Sequence, residues 1–213
     1  MRVSEKAMSE HAVSPVVGVM LMLVVTIIIA AVVSAFAGGL GSGTKATPSA
    51  AMDVKIVTGA DDGMGGTTTK ILFEMLSGDA IPTKDLSIVT YFTNETGGVY
   101  KTSHTASSTA FDLYGYGTGY TRLPYLNDAV AVGIAGDNPK ADFGNYTAST
   151  GDIMAVGSTR QVADFLGLPW TAGTWPAPDT IDDPSFKTGA VVDIKVLHVP
   201  SNKYIFNKEV VVK

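Results

Sequence analysis

The chain contains no cysteine, which removes disulfide frameworks, thiolate metal sites, iron–sulfur clusters and cysteine nucleophiles together. Histidine is scarce too: His11, His104 and His198 lie far apart, and no spacing among them supports a metal site. Charged residues make up only 16% of the 213 positions, and the balance is acidic, with a net charge of −5. Phosphate backbones need a positively charged face, so an acidic chain argues against nucleic acid as a partner. At 46% hydrophobic residues the chain is too apolar to remain disordered. The most informative absence is local. Residues 12–44 carry no charged side chain at all. Arg2, Lys6, Glu5 and Glu10 cancel before that stretch, so the whole negative charge lies after Thr44. The order is a short polar head, an apolar rod and an acidic body.

From Val16 to Phe36 only Gly18, Thr26 and Ser34 interrupt the apolar residues. A helix of that length spans about 30 Å, the thickness of a bilayer's hydrocarbon core. Its many β-branched residues would weaken a helix in water. In hydrocarbon only a helix satisfies every backbone N–H and C=O within one segment, and that requirement decides. Ser14 suits the N-cap and Pro15 the first helical position. Gly38, Gly39, Gly41 and Gly43 then read as a flexible stretch. Three readings of the rod compete. It is a single-pass anchor, a secretory signal cut after Ala35-Phe36-Ala37, or a helix that leaves the membrane to pack with copies of itself. The rod far exceeds the 7–15 residues of a signal h-region, against the second reading. For the third speak the apolar circumference and small residues four apart, Ala30/Ser34/Gly38 and Ala31/Ala35/Gly39.

The run Ala12-Val13-Ser14-Pro15-Val16-Val17-Gly18-Val19-Met20-Leu21-Met22 resembles the start of archaeal type IV pilins. The resemblance covers roughly residues 11–40. It implies a class III-type leader, removed by a membrane-embedded prepilin peptidase on the cytoplasmic side of the helix. The cut would fall between His11 and Ala12, with Glu10–His11 as the second candidate bond. It further implies a subunit drawn from the cytoplasmic membrane by pilus assembly machinery into an extracellular filament, a homopolymer through helix 12–37. Gly18, Ala30, Ala31, Ser34, Ala35 and Gly38 would be the packing positions in that filament core. Val16 stands where bacterial pilins carry a glutamate, which argues against bacterial-type registration of subunits.

The expected organisation is therefore a leader at 1–11, a hydrophobic helix at 12–37, a Gly/Ser linker at 38–50 and an extracellular domain at 51–213. That domain reads as all-β. Period-two alternation marks Met52–Val57, and further strands are expected at Lys70–Leu76, Leu86–Thr93, Ala129–Ile134, Ala190–Val199 and Tyr204–Val212. Short strands separated by Gly, Pro and Thr-rich turns point to an Ig-like β-sandwich. A short helix is expected over Ser158–Leu166 with Ser158 as its cap. Residues 94–128 and 136–189 read as loop-heavy. Within them, the tyrosines of 114–120 are expected to pack on the sheet rather than form an adhesive loop, and Trp170 and Trp175 to lie beneath a long loop.

No reaction centre emerges, and the expectation is a protein that is not an enzyme and needs no cofactor or metal. Asp61-Asp62 and Asp182-Asp183 lack the alternating oxygen ligands of a calcium loop and read as solvated turns. Two sequons, Asn94-Glu95-Thr96 and Asn145-Tyr146-Thr147, are candidate N-glycosylation sites in predicted turns. The functional expectation is a filament subunit displaying a β-rich domain for contact or adhesion. The alternative is a membrane-anchored extracellular binding protein that does not polymerise.

Overall fold

A computed structural model describes residues 15–40, 46–62, 65–112, 119–128, 136–174 and 177–213. The expected strand at 129–134 lies outside them. The chain divides into two compact units, Met1–Thr44 and Lys45–Lys213.

In the first unit, α1 (Pro15–Leu40) begins at the proline that fits a first helical turn, and it runs through Gly38 and Gly39. Its residues Pro15–Ala37 are long and apolar enough to cross a membrane. Every described side chain on it is exposed. No face is polar, because its few polar side chains are small; Thr26 Oγ1 donates to the Leu23 carbonyl at 2.8 Å and so is satisfied within the helix.

The second unit is a β-sandwich of two four-stranded antiparallel sheets. β1 (Ala50–Asp61), β2 (Thr67–Gly78), β3 (Leu86–Thr93) and β4 (Val99–His104) come first. They are followed by β5 (Tyr125–Leu126), β6 (Ile153–Val156), β7 (Val191–His198) and β8 (Lys203–Val211). One sheet has the order β1-β2-β6-β5 and the other β8-β7-β3-β4. Alternation sets which residues face inward. Met52, Val54 and Ile56 stand opposite Met75, Phe73 and Ile71 in the first sheet. Val192 and Val196 stand opposite Phe92 and Ile88 in the second, with Ile194 between them. These two inner faces form the core. Asp53, Lys55 and Glu74 lie on the outer side, where Lys55 Nζ meets Glu74 Oε2 at 2.6 Å.

The rims are closed by main chain and by a helix. Ile56 and Val212 form a parallel bridge, with Lys213 N donating to the Ile56 carbonyl and Thr58 N to the Lys213 carbonyl. This joins the edge of β1 to the end of β8 and so ties one sheet to the other. α2 (Thr159–Leu166) caps another rim. Ser158 is its N-cap, accepting from Gln161 N, and Gly167 ends it in the left-handed conformation at φ 73° that glycine tolerates best. Entry into β1 depends on a second glycine. Gly78 has φ 113°, and a Cβ there would sit 2.1 Å from the Ser49 carbonyl oxygen. That close approach lets Ser49 and Asp79 form two hydrogen bonds at the mouth of the domain, both at 2.8 Å.

Candidate functional site

The functional surface with the clearest physical signature is α1 itself. A helix whose whole circumference is apolar needs hydrocarbon or other helices around it. Gly18, Ala30, Ala31, Ser34 and Ala35 are exposed on it. Ala30 and Ser34 are four residues apart, as are Ala31 and Ala35, so each pair shares a face. A Cβ at Gly18 would meet nothing within 4 Å. His11, Ala12 and the leader lie outside the described residues.

In the body, several titratable groups take part in holding the fold together. His104 is stacked on Phe165 with ring centroids 4.0 Å apart, and its Nε2 donates to the Phe165 carbonyl at 2.8 Å. Thr102 Oγ1 donates to the same carbonyl and accepts from Thr90 Oγ1. A helix leaves its last carbonyls unsatisfied; here β4 supplies two donors, and α2 is thereby fastened to the sheet. Burial holds the His104 pKa below the ordinary imidazole value, while the Phe165 carbonyl and Asp164 pull the other way. Burial raises the Asp164 pKa, opposed by His104 and Arg160.

These shifts set a pH response. The unfolded chain takes a proton on His104 before the folded chain does, so stability falls as pH drops below about 6.5 toward the folded value. Asp164 acts in the opposite sense: its contribution is full below the unfolded carboxyl value and is lost as pH rises through the folded one. His104→Gln keeps a donor for the Phe165 carbonyl but does not titrate. Melting curves at pH 7 and pH 5 should show a smaller loss of Tm in this variant than in the wild type.

Asp183 is not a solvated turn residue. It is buried, because the turn that carries it is folded onto the β3–β4 hairpin. It accepts from Ser185 N at 2.9 Å and from Asn94 Nδ2 at 3.2 Å. The Ser185 backbone bond is the main cause of its lowered pKa. Asp182 accepts from Thr171 Oγ1, and Asp62 closes the β1–β2 turn by accepting from Gly66 N at 2.9 Å. His198 is buried, with Nδ1 2.8 Å from Ser201 Oγ. Among the described residues no three His, Asp or Glu side chains are grouped to hold a metal. Every buried side-chain polar atom among them has a partner.

The two sequons differ in setting. Asn94 is half-buried in the turn between β3 and β4, while Asn145 is exposed. Trp170 is half-buried against the core, with the Arg160 guanidinium 5.6 Å from its ring centre. Tyr120 is exposed rather than packed on a sheet; among the described residues its two-residue strand pairs with Phe111–Asp112. Trp175 and residues 113–118 lie outside the described residues.

Residues 11–52 match the family model of the archaeal type IV pilin N-terminal region. The match takes in all of α1 and ends inside β1. No curated protein and no solved structure matches the chain.

Proposed function

We propose that this protein is a structural, non-enzymatic subunit of a type IV pilus-like surface filament. The observation that carries the reading is α1: a helix apolar on all sides, lying within the segment that matches archaeal type IV pilins. A prepilin peptidase removes residues 1–11 from the membrane-anchored precursor, leaving a mature subunit whose N-terminus is Ala12. Helix 12–37 then exchanges lipid for sister helices. That exchange is nearly neutral in solvation, so close packing at Gly18, Ala30, Ala31, Ser34, Ala35 and Gly38 and the work of assembly machinery decide it. After the linker that follows α1, the β-sandwich domain is displayed outside the cell for surface contact or adhesion.

The test is the amino end of the protein recovered from the cell surface, together with electron microscopy of cells lacking it. Expected are a chain beginning at Ala12 (or His11 for the neighbouring bond) and loss of a class of filaments. A chain beginning at Gly38 would mean ordinary secretion. Unchanged filaments would leave a tethered binding protein that does not polymerise.

A further inference from the structure

The two sequons are equal as three-residue patterns but not as chemical sites. An asparagine-linked sugar replaces one of the two hydrogens on Nδ2, and the linkage keeps the other. What each Nδ2 already holds therefore decides whether the folded domain has room for a glycan.

Asn94 is committed on both ends of its amide. Oδ1 accepts from Gly98 N at 2.6 Å and from Thr96 Oγ1 at 2.8 Å, which closes the turn between β3 and β4. Nδ2 donates to the carboxylate of Asp183, a residue only 6% exposed. The Tyr100 hydroxyl faces the Asp183 carboxylate and the Asn94 amide from the neighbouring strand. Around these groups the 183–186 turn is held to the hairpin: Glu95 N donates to Ser185 Oγ at 3.0 Å, and the Phe186 ring packs edge-on against Phe92 at 5.7 Å. A sugar on half-buried Asn94 would crowd the Asp183 carboxylate and drive a polar ring into the seam between hairpin and turn. Removing a partner from a buried carboxylate is the costly way to lose a hydrogen bond.

Asn145 is the opposite case. It is exposed, and so is Thr147, the third residue of its sequon. Its Nδ2 donates one hydrogen to the Pro139 carbonyl at 2.7 Å. Among the described residues the second hydrogen has no acceptor. Tyr146, between the two, is buried with its hydroxyl donating to the Pro124 carbonyl at 2.9 Å. The sequon is thus anchored by its middle residue and presents its first and third to solvent. A glycan there leaves both the Pro139 bond and the core untouched.

We infer that Asn145 is the glycosylated asparagine of this protein and that Asn94 is an unmodified structural residue. The order of folding and modification does not change the outcome, because a sugar added earlier at Asn94 would have to be accommodated in the same seam. The inference rests on the proposed display of the body outside the cell.

The test is glycopeptide mapping by mass spectrometry of full-length protein recovered from the cell surface, with two variants that each remove one sequon and keep its asparagine. Thr147→Ala should take the whole glycan mass from the chain. Thr96→Ala should change the mass by the substitution alone. A glycan on Asn94, or two bare asparagines, overturns the inference. Either result can be obtained on protein that still forms filaments, which leaves the filament reading standing. A chain found without filaments but glycosylated at Asn145 alone would overturn the filament reading and support this one.

Discussion

Aspartate in place of Ile28 should leave cells without filaments built from this subunit. Ile28 sits near the middle of Pro15–Ala37 and is exposed on α1; in the proposed function it would face lipid before assembly and neighbouring helices after it. On insertion scales the exchange removes a favourable contribution of about 0.3–0.6 kcal/mol and adds a penalty of about 2.5–3.5 kcal/mol. The sum shifts the insertion equilibrium by roughly two orders of magnitude or more. Precursor that does insert meets the same obstacle again, because a charge among apolar helices lacks a partner. Membrane fractionation and electron microscopy read the two stages separately, and Ile28→Leu should behave as wild type. Normal filament yield from Ile28→Asp would remove α1 from the polymer.

The second large effect belongs to the body. Phe165→Ala should cost about 3–5 kcal/mol, a large share of the roughly 5–15 kcal/mol that holds an ordinary domain together. Phe165 is fully buried, and its ring meets Phe73 edge-on at 6.0 Å on one side and stacks on His104 on another. Its truncation opens a cavity where α2 meets both sheets and strips the apolar cover from the half-buried His104 imidazole. Denaturant unfolding of the full-length chain in detergent, followed by near-ultraviolet circular dichroism, measures the loss. Leu76→Ala, at an exposed position on β2, should stay within about 0.5 kcal/mol. Equal stability of the two variants would show that α2 is not part of the core.

How much of this could be read from residues alone depended on the range of the signal. α1 was legible because twenty and more apolar residues have few structural solutions. β1, β2, β3 and the β7–β8 hairpin were legible because half-buried strands alternate, and Ser158 because a cap is a local device. β4 carries no such signal: Val99–His104 is polar and half-exposed, and it becomes a strand by pairing with β3 and receiving α2. β5 and β6 are too short to carry a period, and β6 pairs with β2 from far along the chain. The buried setting of Asp183 was illegible for the same reason. Its partner Asn94 is 89 residues away, and nothing in Asp182-Asp183 distinguishes the carboxylate that turns inward.

The mouth of the second unit has a mechanical meaning. A pull arriving from the N-terminal side would first meet the paired hydrogen bonds of Ser49 and Asp79. Behind them, β1 lies along β2 from Ala50 to Asp61, with ladder bonds perpendicular to the strand. Force directed along β1 therefore shears many bonds at once instead of opening them singly. The far end of β1 is gripped from its other edge by Val212 and Lys213. A domain so arranged can bear load on a tether without unravelling from its first strand.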